Sequence, residues 1–298
     1  MHYDRNGLRI GLDHPKGDFS FLSHAHSDHT SGIKKQKNII ASRETLALAN
    51  IGAEPYSHPS ARMIDAGHIL GSRQLVIEGD GEKTIYTGDI SLKPNVFGMS
   101  AKIEQCDRLI MEATYGDPAY HFPPLGEVHL QLERFVKKND SSNIVIGAYS
   151  LGKTQEVVKI LNEAGVVPIV TEEAEFFCSV YGSFGIPLER IVVGSDEAEE
   201  AMSKRFVAIV PMGKAKRYFA SRLAVAFNRK TLCAAATGWA LNFSFDTDTA
   251  FPLSDHADFD DLVRYVEESG AKQVEFFCGD GSSVLKAVNA KNGAIINS

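Results

Sequence analysis

The chain has 298 residues, of which 44% are hydrophobic and 23% charged, and its formal net charge is −7. These values are typical of a globular protein with one large or two modest domains, and they exclude a disordered or strongly basic chain. Its four cysteines form no CxxC pair, which argues against a disulfide framework. No apolar run is long enough to span a bilayer and no apolar leader begins the chain, so a cytoplasmic protein without a membrane partner is expected.

The first third of the chain is predicted to be rich in β-structure. The stretch RQLVIEGDGEKTIYTGD indicates a hairpin, because two β-type runs flank a turn of Gly and Asp. Further short strands are predicted at DFSFLS (18–23), NIIAS (38–42), ARMIDA (61–66) and DRLIMEAT (107–114).

From residue 119 onward, apolar strands alternate with stretches of helical spacing. Helices are predicted over 126–138 and 151–165, and strands over 143–149, 167–171, 190–194 and 206–210. This alternation predicts an α/β unit with a partly parallel sheet. The chain ends in a helix–strand–helix pattern. We therefore predict one domain formed by 1–118 and 252–298, interrupted by a second domain over 119–251.

The stretch SHAHSDHT places four metal-binding side chains within six positions. His24 and His26 follow a predicted strand and are two residues apart, so both can face one metal ion. Asp28 and His29 then face elsewhere, so the segment can serve two adjacent ions. The alternative is a surface loop that merely happens to be rich in histidine, and four ligands in six positions argue against it.

Additional ligands are expected from three other segments. His68 lies in AGHILGS, where the flanking glycines allow close approach. Asp89 ends an apolar strand in TIYTGDI, where a buried carboxylate needs a partner. His256 lies between Asp255 and Asp258, far along the chain.

The motifs HAHSDH, AGHILGS, YTGDIS, EATYG and SDHADF occur in that order. The chain thereby resembles the metallo-β-lactamase superfamily, and more narrowly its β-CASP nuclease branch. That branch includes messenger-RNA 3′-end-processing endonucleases, RNase J, Artemis-like repair nucleases and DNA-ligase-associated exonucleases, and the resemblance is strongest to the last of these.

The resemblance implies an α/β fold, namely a four-layer αββα sandwich with an inserted α/β β-CASP cap. It also implies a site with two zinc ions. The first ion would be held by His24, His26, His68 and Asp89, and the second by Asp28, His29 and the shared Asp89. Glu112 and His256 would pair and protonate the leaving group, and Asp28 would also orient the attacking water.

Such a pair of ions suits phosphodiester hydrolysis, because it holds a bridging hydroxide and braces both oxygens of an in-line displacement. The nitrogen and oxygen ligands suit zinc and also admit manganese. The expected function is a metal-dependent nuclease acting on single-stranded DNA or RNA, with exonuclease action favoured and a role in RNA processing or DNA repair. A homodimer is one expected assembly.

Cys278 stands where members of the branch often carry another histidine. Three interpretations remain open: Cys278 ligates the second metal as a thiolate, it is a buried bystander, or the second site is weak and the enzyme impaired.

Two segments between residues 147 and 232 invite a phosphate-binding interpretation. GAYSLGKT (147–154) has the letters of a P-loop, which would bind a nucleotide. Two alternatives remain open: Lys153 and the helix N-terminus contact a nucleic-acid phosphate, or the segment is a plain strand–turn–helix corner. The stretch from Met202 to Leu232 contains no acidic residue and eight basic ones, which predicts either a solvated face or a polyanion-binding groove. Its predicted nucleic-acid contacts are Lys214, Lys216, Arg217 and Arg222.

Trp239, the single tryptophan, is predicted either to stack on a base or to lie in the core.

Two other functions remain open: a catalytically impaired nucleic-acid-binding module, and a dinuclear hydrolase of a small ester. The sequence leaves DNA against RNA, and exo- against endonuclease action, unresolved.

Overall fold

The computed structural model describes residues 1–5, 7–79 and 81–292. The chain forms two compact units, one comprising Met1–His121 with Asp255–Ser298, and the other Phe122–Ser254. Both boundaries lie three residues C-terminal to the positions proposed from the sequence. None of the helices in the described ranges is long and apolar enough to cross a membrane.

The first unit begins with eight strands and one helix. In chain order they are β1 (His2–Arg5), β2 (Leu8–Leu12), β3 (Phe19–Phe21), β4 (Ile39–Ile40), α1 (Arg43–Leu48), β5 (Ala61–Asp65), β6 (Arg73–Gly79), β7 (Glu82–Tyr86) and β8 (Arg108–Ala113). The second unit consists of α2 (Leu125–Lys138), β9 (Asn143–Ala148), α3 (Lys153–Glu163), β10 (Ile169–Val170), α4 (Glu172–Ser183), β11 (Ile191–Val192), α5 (Asp196–Ser203), β12 (Val207–Pro211), α6 (Arg217–Ala226), β13 (Thr231–Ala236) and β14 (Thr249–Phe251). The chain then returns to the first unit with α7 (Phe259–Ser269), β15 (Gln273–Gly279) and α8 (Ser282–Asn292). In the described residues, short 3₁₀ helices cover Ile33–Lys35, Met212–Lys214 and Gly238–Leu241.

The described part of the first unit contains two sheets. The smaller has the order β1-β2-β3-β4, and the larger has the order β15-β8-β7-β6-β5. Strands β6 and β7 pair antiparallel across their turn, which confirms the predicted hairpin. Strands β7 and β15 flank β8 in parallel, although β15 comes from the far end of the chain.

The two sheets share one hydrophobic core. Leu75 and Ile77 of β6 join a cluster with side chains of the smaller sheet such as Phe21. The intervening Val76 joins a second cluster with Leu262 of α7 and Val284 of α8. This alternation is what a strand buried on both faces requires, since successive side chains point to opposite sides. The larger sheet is therefore packed between the smaller sheet and two helices.

The second unit is built on one six-stranded sheet with the order β11-β10-β12-β9-β13-β14. All of its pairings are parallel, so the sheet is parallel throughout rather than only in part. The predicted alternation of helix and strand is confirmed, and the whole chain is a mixed α/β protein with several sheets.

Candidate metal centre

Three histidine side chains of the first unit converge on one point. His26 Nδ1 lies 3.0 Å from His24 Nε2 and 3.1 Å from His68 Nε2. The Asp89 Oδ2 atom lies 3.4 Å from His24 Nε2 and 3.8 Å from His68 Nε2. These four donor atoms all lie within 4.8 Å of one another. Segments that are far apart in sequence thus form a compact set of three nitrogens and one oxygen.

The hydrogen bonds behind these rings fix which nitrogen faces the cluster as a bare acceptor. His68 Nδ1 is 2.8 Å from the backbone carbonyl oxygen of Asp255, which can only accept, so Nδ1 carries the proton. His24 Nδ1 lies 2.9 Å from Ser23 Oγ, and that hydroxyl is only 2.5 Å from Asp13 Oδ2. Because the Asp13 carboxylate accepts from Ser23, the Ser23 oxygen accepts from His24. The Nε2 atoms of both rings therefore present lone pairs to the cluster.

This arrangement fits a divalent cation. Burial lowers the pKa of both His24 and His68 well below the ordinary value, so both rings are neutral at physiological pH. A single proton on His26 Nδ1 can point at only one of the two Nε2 atoms, so at least one of their lone pairs lacks a donor there, and a cation would satisfy both. Tetrahedral zinc, with Zn–N bonds of about 2.0–2.1 Å, places neighbouring donor atoms about 3.3 Å apart, close to the separations here.

A second donor set begins at the same Asp89 oxygen. His29 Nε2 lies 3.5 Å from Asp89 Oδ2 and 3.6 Å from Asp28 Oδ2. Burial lowers the pKa of His29, but the carboxylates of Asp13, Asp89 and Asp28 outweigh this effect and raise it to about 9. Burial, reinforced by nearby Glu112, raises the pKa of Asp89. The unfavourable burial of the Asp89 charge is what a shared cation would relieve.

Asp13 was not identified from the sequence, although it supports both donor sets. Its Oδ2 accepts hydrogen bonds from His29 Nδ1 at 2.7 Å and from the Tyr86 hydroxyl at 2.9 Å. Its Oδ1 accepts from the backbone N–H of Ser23 at 2.7 Å. A carboxylate that follows the apolar strand β2 in GLDHP was the available signal.

Glu112 and His256 form the predicted pair beside this centre. His256 Nδ1 lies 2.9 Å from Glu112 Oε2 and 3.2 Å from Oε1, and the backbone N–H of Ile90 donates to Oε1 at 2.6 Å. Glu112 is fully buried. Although burial lowers the pKa of His256, the Glu112 carboxylate outweighs it and raises the value to about 10. The ring is therefore protonated at neutral pH, and its centroid lies 4.4 Å from that of His68.

Cys278 also faces this region. A β-bulge follows Phe276, and Cys278 then pairs with Glu112 in the register of β15 and β8. The Cys278 sulfur and carboxylate oxygens of Asp89 and Glu112 lie within 4.8 Å of one another. The Thr114 hydroxyl lies 3.7 Å from the sulfur, and burial followed by these carboxylates raises the pKa of the thiol to about 12. The three interpretations of Cys278 stay predictions.

The structure corrects one predicted nucleic-acid contact in the second unit. Lys153 is only 2% exposed, and its Nζ lies 3.2 Å from Glu156 Oε2. The backbone N–H of Gly152 is taken by the Gln155 side chain, and the Thr154 hydroxyl donates to the carbonyl oxygen of Tyr149. The GAYSLGKT segment is thus a self-satisfied strand–turn–helix corner, and the prediction that Lys153 reaches a phosphate is wrong.

The other predicted contacts of the second unit are at its surface. Lys214, Lys216, Arg217 and Arg222 are all exposed. Trp239 is half-buried, with its ring centroid 5.8 Å from that of the exposed Phe243.

Comparison with known proteins gives several relatives. A protein named Probable DNA ligase from Opitutus terrae is 32% identical over 277 residues, which cover 86% of this chain and 26% of that protein. The RNase J-like protein of Methanocaldococcus jannaschii is 28% identical over 160 residues, covering 52% of this chain and 38% of that protein. The 5′ exonuclease Apollo of Gallus gallus is 28% identical over 174 residues, covering 51% and 37%. The chain therefore spans well under half the length of these relatives.

A solved structure shares the fold. The crystal structure of a protein of unknown function from Enterococcus faecalis V583 superimposes with a TM-score of 0.59 at 16% identity, over 87% of this chain and 74% of that chain. No family model matches the chain.

Fold and donor atoms together define an α/β protein with a candidate metal centre lined by histidine and aspartate. The motif HAHSDH, which supplies several of these donor atoms, is one of those by which the sequence resembles the metallo-β-lactamase superfamily. The relatives named above belong to the β-CASP nuclease branch of the metallo-β-lactamase superfamily, and this chain is similar to them in sequence.

Proposed function

We propose that this chain is a metal-dependent phosphodiesterase that removes nucleotides from the ends of single-stranded DNA, with two zinc ions as cofactors. The observation that carries the proposal is the position of Asp89. Its Oδ2 atom lies within 3.8 Å of ring nitrogens of His24, His68 and His29, and so belongs to two donor sets at once. One carboxylate oxygen shared in this way is what a pair of adjacent ions requires.

The finer features of the fold are part of the same proposal. Two sheets with a common core and helices α7 and α8 on the outer face support an αββα sandwich. The parallel α/β unit of Phe122–Ser254 lies between two segments of the first unit in sequence, which supports its interpretation as a β-CASP cap.

His24, His26, His68 and Asp89 would hold one ion, and Asp28, His29 and Asp89 the other. When bound, the ions supply Lewis acidity, which neutralises charge on the phosphate and lowers the pKa of water. Manganese could occupy the same set of nitrogens and oxygens.

The remaining chemistry falls to side chains of the chain itself. Asp28 has a side chain that is 77% exposed, so its carboxylate can orient a water molecule and accept a proton from it as the water attacks phosphorus. The P–O bond to the leaving group then breaks. His256 gives the proton at its Nε2 atom to the leaving oxygen, while Glu112 accepts the hydrogen bond from Nδ1 and holds the ring protonated.

DNA is proposed as the substrate because of a similarity that extends over most of the chain. The match to the protein named Probable DNA ligase covers 86% of this chain but only 26% of that protein. A segment joined to a ligase in one polypeptide suits the trimming of DNA ends before they are sealed. The relatives named as exonucleases support stepwise removal from an end.

The test combines metal analysis with three substrates. Wild-type protein and His26→Ala would be analysed for bound zinc and incubated with a small chromogenic phosphodiester and with end-labelled single-stranded DNA and RNA. The wild type should hold two ions, hydrolyse the chromogenic ester and produce mononucleotides from DNA. His26→Ala should lose metal and all activity while keeping its circular dichroism spectrum.

Other outcomes would separate the alternatives. Turnover of a carboxylic ester without turnover of any phosphodiester would identify a small-molecule hydrolase. Tight binding of DNA without metal or hydrolysis would identify a silent binding module. Mononucleotide products from RNA but not from DNA would retain the nuclease and overturn the choice of DNA.

A further inference from the structure

We propose that the exposed face of helix α6, together with the turn before it, binds single-stranded nucleic acid, and that the Tyr218 ring stacks on a base while Lys214, Lys216 and Arg222 contact phosphates. This inference rests on the proposed function, because it assigns the residues that hold the same substrate. It concerns the second unit alone and is argued from that unit's own surface.

Helix α6 has one buried face and one exposed face. Ala220 is 3% exposed and packs inward, whereas Tyr218 is 70% exposed and Val225 is 83% exposed. Ser221 and Arg222 lie between these two on the same exposed face, at positions three and four residues after Tyr218. Within the described ranges, neither the ring nor the hydroxyl of Tyr218 has a partner, although a large aromatic side chain usually gains stability by finding one.

The cations around Tyr218 are also unmatched. Among the described residues, no carboxylate oxygen lies within 4.0 Å of the charged groups of Lys214, Lys216 or Arg222. For Arg217, the carboxylate contact recorded in the same ranges is a long one, from its Nε to Asp248 Oδ1 at 3.7 Å. The stretch from Met202 to Leu232 contributes no acidic residue of its own. A concentration of positive charge without counter-charge attracts a polyanion.

These positive charges do not stabilise helix α6. Helices α4, α5 and α7 each have a side-chain N-cap and acidic residues in the first turn. Helix α6 begins at Arg217 after Lys216, with no side-chain cap and no acid in the first turn. Cations at this end oppose the helix dipole and lower the helix's stability. Their clustering is therefore better explained by binding than by folding.

The combination of groups selects the occupant. Positive charges recognise phosphates, and an exposed aromatic ring beside them recognises the flat face of an unpaired base. In a duplex the bases are stacked on each other and cannot offer that face to Tyr218. A single strand offers both, along a helix that is roughly 15 Å long.

The experiment measures binding separately from cleavage. Fluorescent oligo(dT), an abasic oligonucleotide of equal length and a DNA duplex would be titrated with full-length His26→Ala protein at several salt concentrations. Adding Tyr218→Ala should weaken oligo(dT) binding about tenfold, leave abasic binding unchanged, and be rescued by Tyr218→Phe. Replacing Lys214, Lys216 and Arg222 by Ala should weaken binding to both single strands and reduce the slope of log K against log salt by about two.

Phe176→Ala is the matched control. Phe176 is 41% exposed on helix α4 of the same unit, but that helix carries Glu172, Glu173 and Glu175 in its first turn. This control should bind oligo(dT) like the parent protein. Equal loss of oligo(dT) and abasic binding in Tyr218→Ala would overturn stacking. Unchanged oligo(dT) binding in both the Tyr218→Ala variant and the triple variant would refute the proposed nucleic-acid-binding surface. The exposed face of α6 would then be a contact surface for another protein.

Hydrolysis of the small chromogenic phosphodiester distinguishes this inference from the proposed function. The Tyr218→Ala variant with His26 intact should hydrolyse this ester at the wild-type rate, because the ester has no base that could stack on the ring. If the α6 variants hydrolyse the ester and also bind oligo(dT) normally, only the proposed binding surface on α6 is rejected. If oligo(dT) binding depends on Tyr218 but no phosphodiester is hydrolysed, only the proposed nuclease function is rejected.

Discussion

Replacing Asp13 by Asn tests how the metal centre holds its histidines. Asp13 Oδ2 accepts hydrogen bonds from His29 Nδ1, Ser23 Oγ and the Tyr86 hydroxyl. An Asn side chain keeps one oxygen but places an NH₂ group at the other position, and that group can only donate. The substitution suits the backbone, because the φ angle of 47° at Asp13 is one that Asn tolerates well.

The loss of affinity follows from the tautomer of His29. An NH₂ group that faces Nδ1 forces the neutral ring to accept there and to carry its proton on Nε2. With the amide reversed, the NH₂ group opposes the Ser23 backbone N–H, and His29 keeps only an uncharged acceptor that makes its ring a weaker ligand. Nε2 is the atom that lies 3.5 Å from Asp89 Oδ2 and would bind the second ion. Substitution of a residue that hydrogen-bonds a metal-binding histidine costs about 10–100-fold in metal affinity, or roughly 1.4–2.8 kcal/mol. The first ion should be held, because Ser23 Oγ can still accept from His24.

Metal-free Asp13→Asn would be titrated with zinc against a competing chelator and with cobalt by absorption spectroscopy. We expect two ions in the wild type, with only the second weakened in the variant. Tyr86→Phe is the control, because it removes one donor to Asp13 and leaves the His29 contact in place. Two ions bound by Asp13→Asn at wild-type affinity would refute the reasoning.

Two further predictions concern carboxylates that are paired with basic side chains. In Glu112→Gln, we expect kcat to fall about 100-fold with zinc content unchanged, because His256 loses the charge that raises its pKa. The alkaline limb of the pH–rate profile should also move to lower pH, and an unshifted limb would contradict the role of the pair. Glu104 accepts hydrogen bonds from Arg62 and Lys83, which lower its pKa from 4.5 to about 2. Its contribution to stability, about 1 kcal/mol or less for a surface pair, is therefore present above pH 4.5 and lost as the pH falls towards 2. Chemical denaturation of Glu104→Gln and wild type should give a difference at pH 6 that disappears at pH 2, and a constant difference would contradict the linkage.

Periodicity was sufficient for most of the secondary structure. The hairpin β6–β7 and the alternation of helix and strand after residue 119 follow from apolar spacing and turn residues, which are local properties. The order of the strands is not local. The pairing of β15 with β8 depends on packing between segments that are far apart in sequence, and no spacing rule indicates it.

Site residues show the same division. His24, His26, His68 and Asp89 carry recognisable motifs, and the structure brings their donor atoms together. Asp13 escaped prediction because a single carboxylate after a strand is common, and its role depends on contacts with His29, Ser23 and Tyr86.

Lys153 was misassigned for a different reason. Glu156 lies three residues further along the same helix and pairs with the Lys153 ammonium group inside the protein. A motif fixes which residues occur in a segment but does not fix the direction in which their side chains point.

The interruption of the first unit has a consequence for the order in which the chain is made. All the histidines and carboxylates proposed as metal ligands precede Phe122, whereas His256, α7 and β15 follow Ser254. At about 5–20 residues per second, a ribosome needs on the order of ten seconds to make the stretch between them. During that interval the nascent chain has its metal ligands but lacks the side chain that protonates the leaving group. Under the proposed mechanism, translation separates the acquisition of metal from the onset of cleavage, and a growing chain that has bound zinc is not yet a nuclease.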